Sequence, residues 1–374
     1  MTEPLPPWAQ PDLLPEKPQG DSYGYVLRNV ATSCSRETLI ERCQIWTAPQ
    51  TTLVWAPEAD RLVPAMELPI LQDALRERER QNIHRNLRIA AFSLFVYSVP
   101  TLLSDGGRAF EMQLFLLLSF GVLPLADGWW ELRRLRDETA ETLAGKIASA
   151  RYSLWMSAQR RGLTHTLLAI LVFVFVLQMT GGLRESIQRA GLTKTGLHSH
   201  DAYRFLTATL MHGGVMHLLM NGLALFFLGI ALEALIGSAG LSLLFTASAL
   251  GGSALSFVCS AQTTVGASGG IMGLLGCLVV FGFRYRKILP PKSGSQMIYA
   301  VFLTALTGFV ARHVIDNAAH AGGLLTGVAV GWLLARNRNT LPLRPSPLAQ
   351  WAGHFSLSLL LAAALFIGFL LFYA

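Results

Sequence analysis

The sequence VGASGG at 265–270 places one serine, Ser268, among small residues at the start of an apolar run. Glycine and alanine leave room for a substrate backbone to approach a nucleophile. A serine inside an apolar helix is also common in membrane proteins, where it bonds back to its own helix or packs against a neighbour. Whether Ser268 is catalytic therefore depends on the other polar groups that the chain brings to it.

The composition around this stretch is that of an integral membrane protein. Of 374 residues, 52% are hydrophobic and 14% are charged, whereas a soluble domain carries about 25% charged residues. The net charge is +7, but the basic residues lie in short runs between apolar segments. This pattern is typical of positive-inside anchoring in a lipid bilayer and disfavours a nucleic-acid surface. The four cysteines lack metal-ligand spacing. We expect no metal, no cofactor and no nucleic-acid partner.

Apolar runs and turn residues divide the chain into five regions. The Pro-rich sequence at 1–22 predicts a disordered tail, and the alternating runs at 23–71 are consistent with a small β-rich module. We predict a cytosolic N-terminal region at 1–86, a transmembrane hairpin at 87–127, a charged linker helix at 128–163, a six-span core at 164–336, and a linker with one extra C-terminal span at 337–374.

Nine spans are predicted in all, and their order sets the topology of the chain. The spans lie at roughly 87–103, 112–126, 164–180, 206–235, 240–260, 268–284, 296–312, 318–335 and 355–373. Basic residues at 131–162, at 284–292 and at 336–344 then share one side, which the positive-inside rule makes cytoplasmic. The loop at 182–204 is also basic although it falls outside. The N-terminus is expected inside and the C-terminus outside.

Ionisable and amide side chains inside the core spans are candidates for function, because they are costly in hydrocarbon. His217 and Asn221 are four residues apart and share one helix face, while His212 lies at or before the start of that helix. The helices that carry His217, Ser268 and His320 all run from outside to inside. The three side chains can therefore lie at one depth, in the outer half of the membrane.

These groups are sufficient for acyl transfer. A neutral His320 can accept the Ser268 proton and return it to a leaving amine. We find no acidic residue spaced to orient His320, so the prediction is a Ser–His dyad. The side chains of His217 and Asn221 and the Ser268 N–H at a helix start can donate to a developing oxyanion.

The combined motifs resemble the rhomboid intramembrane serine proteases. Arg204 stands in YRF at 203–205 where that family has Trp-Arg, with tyrosine in place of tryptophan. The family's His-x4-His-x3-Asn, Gly-x-Ser-Gly and Ala-His-x-x-Gly patterns occur at 212–221, 266–269 and 319–323, the last with an extra glycine. The resemblance covers 164–336, and the final span is similar to the extra helix of six-plus-one members.

The resemblance implies an all-α polytopic fold and a role for each matched residue. It makes Ser268 the nucleophile and His320 the general base and acid, and assigns His217 and Asn221 to the oxyanion hole. It implies that Arg204 and Glu233 brace the loop at 182–204. Structural support is expected from Arg204, His212, Glu233, Gly266, Gly269 and Gly323.

The implied reaction is cleavage of transmembrane protein substrates near the outer face of a bacterial inner (plasma) membrane. The main alternative is a non-catalytic rhomboid-like scaffold that binds transmembrane helices and directs their trafficking or degradation. Such scaffolds usually lack the serine or the histidine, and both are present here. The sequence contains neither a His-Glu-x-x-His zinc motif nor a pair of intramembrane aspartates.

Overall fold

The computed structural model describes two compact units, 1–158 and 159–374. The described residues are 5–10, 13–103, 106–194, 199–313, 315–336, 339–343 and 345–373. Two residues of the predicted basic run at 336–344, Arg338 and Arg344, lie outside them.

The N-terminal unit contains the small β-rich module. Its strands are β1 (Tyr23–Leu27), β2 (Val30–Cys34), β3 (Leu53–Trp55) and β4 (Val63–Pro64), which form an antiparallel sheet in the order β2-β1-β3-β4. Arg28 and Asn29 both have positive φ, 49° and 64°, as a tight hairpin turn requires. Helix α1 (Arg36–Cys43) begins at Ser35, whose hydroxyl accepts the Thr38 N–H, and buries Leu39 against the sheet residue Val54.

The Pro-rich segment expected to be a disordered tail has ordered structure in its described part. Residues Pro7–Ala9 form a 3-10 helix, and Trp8 is 3% exposed. Its ring lies 5.0 Å from that of Tyr152 and 4.9 Å from that of Trp155, both on α5 (Ala140–Ser157). Disorder is predicted from the average composition of a segment. One buried tryptophan can order such a segment all the same, because it supplies a large apolar contact.

A helical hairpin follows the sheet. Helix α2 (Pro69–Leu102) runs from the predicted cytosolic region into the first predicted span as one helix of 34 residues. The return arm consists of α3 (Gly107–Leu116), a π-helical turn (Leu117–Val122) and α4 (Leu123–Arg136). Two glycines allow the arms to approach: a Cβ at Gly121 would lie 2.9 Å from the Leu94 Cα, and one at Gly128 would lie 2.7 Å from the Leu87 Cδ2.

The second unit is a helical bundle. Its helices are α6 (Gly162–Gly181), α7 (Leu183–Ala190), α8 (Arg204–Leu210), α9 (Val215–Cys259), α10 (Ser268–Arg284), α11 (Ser293–Val310), α12 (Asn317–Ala335) and α13 (Pro347–Phe372). Helix α9 contains most of the predicted spans at 206–235 and 240–260, and non-helical Gly237, with φ 73° and ψ 168°, divides it in two. The predicted span at 206–235 is itself interrupted at 211–214, between α8 and α9.

The described helices confirm an all-α polytopic membrane protein. Six are long and apolar enough to cross a membrane: Gln113–Arg136, Gly162–Gly181, Val215–Cys259, Ser293–Val310, Asn317–Ala335 and Pro347–Phe372. Helix α10 is apolar but shorter. The α2 arm is not among the six, because charged residues fill the first half of that helix. The topology with nine spans stays a prediction.

Glycines set the spacing between α10 and α12. A Cβ on Gly323 would lie 2.0 Å from the Gly269 carbonyl oxygen, and one on Gly327 would lie 2.0 Å from that of Gly273. One turn further on, a Cβ on Gly331 would lie 2.9 Å from the Cys277 Cα. The small-residue stripe at 323, 327 and 331 therefore brings the two helices into backbone contact, as its spacing predicts.

Candidate active site

Backbone contacts hold the segment that leads into Ser268, the first residue of α10. Thr264 and Leu192 exchange two backbone hydrogen bonds, of 3.1 and 3.0 Å, and the Gly266 N–H donates to the Ala208 carbonyl at 2.9 Å. Gly266 has a φ of 119°, a backbone conformation that favours glycine. The position of Ser268 is thus fixed by α8 and by the loop before it.

His320 lies in the first turn of α12, next to the start of α10. The residue before it, Ala319, has its carbonyl oxygen 3.6 Å from the ideal Cβ position of Gly269. Both Ser268 and His320 are half-buried. Among the described residues, no hydrogen bond joins the Ser268 hydroxyl to the His320 ring. Catalytic hydrogen bonds are often long without substrate and tighten in the Michaelis complex.

His217 packs over the glycine that precedes the serine motif. A Cβ at Gly266 would lie 2.8 Å from the His217 Nε2 and 2.7 Å from its Cε1. The Gly213 N–H donates to the His217 Nδ1 at 3.3 Å. Because Nδ1 accepts this bond, we assign the ring proton of the neutral imidazole to Nε2, so that Nε2 is a donor beside the Ser268 loop.

Asn221 lies one turn after His217 on α9. Asn221 is 6% exposed, and its Nδ2 donates to the His217 carbonyl at 2.9 Å. The same Nδ2 lies 3.9 Å from the ideal Cβ position of Gly266. Two side-chain donors therefore face the segment that ends at Ser268.

His212 lies in the non-helical segment before α9 and is fully buried, with its ring 5.2 Å from that of His217. Buried Gln178 on α6 fixes this segment: its Oε1 accepts the His212 N–H at 2.8 Å, and its Nε2 donates to the His212 carbonyl at 3.0 Å. Sequence analysis missed Gln178, although one amide inside an apolar span is the signal that could have found it. Within the described ranges, no cluster of three His, Cys, Asp or Glu side chains could hold a metal ion.

Arg204 braces the loop at 182–204. Its Nη1 donates to the Gln188 and Gly191 carbonyls, both at 2.8 Å, and its Nε donates to the Asp201 carboxylate at 3.1 Å. Tyr203 donates its hydroxyl proton to the Arg189 carbonyl at 3.1 Å. These contacts tie the C-terminal end of the loop to the end of α7.

The expectation that Glu233 also braces this loop is wrong. Glu233 is 4% exposed, and its carboxylate accepts the N–H groups of Leu163 and Thr164, in the first turn of α6, at 2.8 and 2.9 Å. The Thr164 and Ser238 hydroxyls also donate to it, at 2.7 and 2.8 Å. Glu233 is therefore a side-chain cap that holds the start of α6 to α9.

We expect Glu233→Gln to destabilise the protein by about 1–3 kcal/mol, because an amide NH₂ would replace an oxygen that faces only donors. Denaturant titration of the purified protein in detergent micelles measures this loss. Glu185→Gln is the control, since its side chain is 61% exposed and, among the described residues, its carboxylate pairs with Arg189 alone, on the same helix. We expect it to change stability by less than about 1 kcal/mol. Equal stability of both variants would contradict the assigned cap.

A polar cluster near Ser268 and His320 was also not predicted from the sequence. Asp316 caps α12 by accepting the Ala319 N–H at 3.1 Å. Burial by itself would raise the pKa of the Asp316 carboxyl, but hydrogen bonds from Ser256, Thr264 and Ala319 and the charge of Lys194 outweigh it. These contacts hold the pKa below its usual range, so the carboxylate is ionised at neutral pH.

Comparison with known proteins identifies the family. The family model described as the Rhomboid domain matches residues 199–337. YdcA of Bacillus subtilis, named as a candidate rhomboid protease, is 30% identical over 145 residues, which cover 38% of this chain and 72% of YdcA. The chain belongs to the rhomboid family.

Two other rhomboid relatives match part of the chain. The rhomboid protease GluP of Bacillus subtilis is 34% identical over 206 residues, 54% of this chain and 38% of GluP. RHOMBOID-like protein 2 of Arabidopsis thaliana is 36% identical over 141 residues, 37% of this chain and 44% of that protein. The matched part of the chain thus spans less than half the length of either. The Rhomboid domain match contains all four candidate active-site residues: His217, Asn221, Ser268 and His320.

Proposed function

We propose that this rhomboid protein is an intramembrane serine endopeptidase with a Ser268–His320 dyad. The observation that carries the proposal is the arrangement around the start of α10. Two donors, on His217 and Asn221, face the segment before Ser268, and the first turn of the His320 helix contacts Gly269. A protein that only binds helices has no need of this combination.

The proposed reaction begins with attack of the Ser268 Oγ on the carbonyl carbon of the scissile bond, while His320 accepts the hydroxyl proton. Collapse of the tetrahedral intermediate breaks the C–N bond, and His320 returns the proton to the leaving amine. A water molecule, deprotonated by His320, then attacks the acyl-enzyme ester. Its hydrolysis restores the Ser268 hydroxyl and releases the carboxylate product.

Three donors would stabilise the oxyanion that forms during each attack. The Ser268 N–H belongs to the first turn of α10, whose N–H groups have no partner within the helix. The His217 Nε2–H and the Asn221 Nδ2–H complete the set. Fixed donors of this kind act strongly because they need no reorganisation as the negative charge develops.

The proposed substrate is a transmembrane segment of another protein, cut near the outer face of the membrane. A peptide bond inside a helix is hydrogen-bonded and sterically covered, so the segment must unwind before Ser268 can reach it. We infer that the substrate segment enters the site from the bilayer by passing helix α11. This helix meets its neighbours at Gly294, beside Gly282, and at Gly308, whose carbonyl accepts the Asn317 Nδ2–H at 2.8 Å, whereas Phe302 between them is exposed.

We expect Asn221→Ala to lower kcat by about 10²–10³-fold, the usual effect of removing one oxyanion donor. KM should change little, because the lost interaction forms mainly in the transition state. Steady-state cleavage of a fluorescent single-span reporter in detergent measures both constants. A higher KM with unchanged kcat would show that Asn221 binds substrate instead. If wild-type protein that binds the reporter does not cleave it, the scaffold alternative is favoured.

A further inference from the structure

A buried ion pair lies beside the proposed dyad. The Lys194 Nζ and the Asp316 Oδ2 are 3.6 Å apart, and the two side chains are 7% and 11% exposed. Ser256 and Thr264 bridge the charges. Lys194 donates to the Ser256 hydroxyl at 2.8 Å and to that of Thr264 at 2.5 Å, and both hydroxyls donate to the Asp316 Oδ2.

This cluster joins four segments that are distant in sequence. Lys194 follows the bridge residue Leu192 in the loop at 182–204, and Ser256 lies near the end of α9. Thr264 is four residues before Ser268, and Asp316 is four residues before His320. Lys194 also donates to the Gln262 carbonyl. One set of polar contacts therefore links the segment that carries the proposed nucleophile to the segment that carries the proposed base.

Most hydrogen-bond donors and acceptors of the cluster have a partner. The Asp316 Oδ1 accepts the Ala319 N–H at 3.1 Å, and the Oδ2 accepts two hydroxyls. A buried polar network that is satisfied in this way favours one arrangement of its parts over others. A buried ion pair contributes little to net stability compared with apolar packing of the same volume. We therefore attribute this pair to a more precise positioning of the segments that it joins.

We propose that Lys194 and Asp316 are positioning residues, which hold the Ser268 segment in register with the first turn of the His320 helix. The proposal rests on the proposed protease function. Asp316 acts through the Ala319 N–H and the hydroxyls of Ser256 and Thr264, which donate to its oxygens. It is therefore not a third catalytic group bonded to the His320 ring.

The consequence is a specific kinetic signature. A small misplacement of the dyad slows the attack of Ser268, and a displacement of about 1 Å can cost about 10²-fold in rate. Substrate affinity depends on other surfaces and should stay the same. We expect Asp316→Asn and Lys194→Met each to lower kcat, and the labelling rate of Ser268 by a fluorophosphonate, by about 10–10²-fold. KM should stay within about twofold of the wild-type value, since neither substitution removes a contact with the bound substrate.

The experiment uses the full-length protein in detergent, with the fluorophosphonate and a fluorescent single-span reporter. The double variant Lys194→Met/Asp316→Asn should lose little more than either single variant, because the two side chains act as one unit. Glu185→Gln is the matched control: it removes a carboxylate paired with an arginine on α7, within the same loop but outside the cluster, and should keep both rates. Thr264→Val retains the ion pair and deletes one bridging hydroxyl. It should show a smaller loss in the same direction, and it decides the question if Asp316→Asn does not fold.

The outcomes separate the two proposals. If wild-type protein is not labelled at Ser268, the protease function fails, and the positioning role fails with it. If wild type is labelled but the folded variants keep kcat and labelling within about twofold, below the cost of even a small misplacement, the positioning role alone is overturned. A rise in KM with unchanged labelling would also overturn it, because the cluster would then shape substrate binding.

Discussion

Ser268→Ala is expected to lower the cleavage rate of a single-span substrate by about 10⁴-fold or more, since the variant has no hydroxyl to form the acyl-enzyme. His320→Ala should have an effect of similar size, because an un-ionised serine is a weak nucleophile without its base. The two residues act as one unit, so the double variant should be no slower than the worse single variant. Cleavage assays with purified protein in detergent measure all three rates.

Folding controls keep this prediction specific to chemistry. Alanine fits at position 268 because it is smaller than serine, so Ser268→Ala should unfold at the wild-type denaturant concentration. The matched control for the histidine is His354→Ala, since His354 is exposed on α13, and this variant should keep full activity. Cleavage that survives Ser268→Ala in purified protein would exclude Ser268 as the nucleophile.

The second large effect is expected at Gly327. A Cβ there would lie 2.0 Å from the Gly273 carbonyl oxygen and 2.4 Å from the Gly273 Cα. Both atoms belong to backbone, which cannot move aside as a flexible side chain could. We expect Gly327→Val to destabilise the protein by about 3 kcal/mol, because the valine side chain forces α10 and α12 apart. The residual folded protein should also lose activity, since these two helices carry Ser268 and His320.

Denaturant titration and cleavage assays on the same preparation measure both consequences. Gly222→Ala is the control, because among the described residues a Cβ at Gly222 would meet the Leu168 Cδ2 alone, at 3.7 Å, an ordinary contact. It should leave stability and activity close to wild type. If Gly327→Val unfolds like wild type and cleaves normally, the backbone contact between α10 and α12 is not required for the site.

The parts of the fold that depend on local pattern could be predicted from the sequence. Apolar runs located most helices, and the stripe at 323, 327 and 331 indicated the close approach of α12 to its neighbour. The predicted boundary at residue 87, between the cytosolic region and the first span, falls inside α2, because no glycine or proline interrupts the chain there and the helix continues through it. The burial of Trp8 depends on Tyr152 and Trp155, which are far from it in sequence and invisible to local composition.

The candidate site could be predicted only where its residues form motifs. Ser268, His320, His217 and Asn221 stand in short patterns that imply shared chemistry. The sequence singled out Glu233 but did not indicate what it binds. Its partners are N–H groups at the start of α6, not the loop at 182–204. Lys194 and Asp316 belong to no common motif, and only the fold places their charges together.

The most direct test of the account is covalent labelling of the purified protein by a fluorophosphonate, with the modified residue identified by mass spectrometry. Such a probe reacts with an activated serine and needs no knowledge of the substrate. The account predicts a single adduct on Ser268, which disappears in Ser268→Ala and forms far more slowly in His320→Ala. No adduct on Ser268 in folded wild-type protein, or labelling that is equally fast without His320, would contradict the dyad.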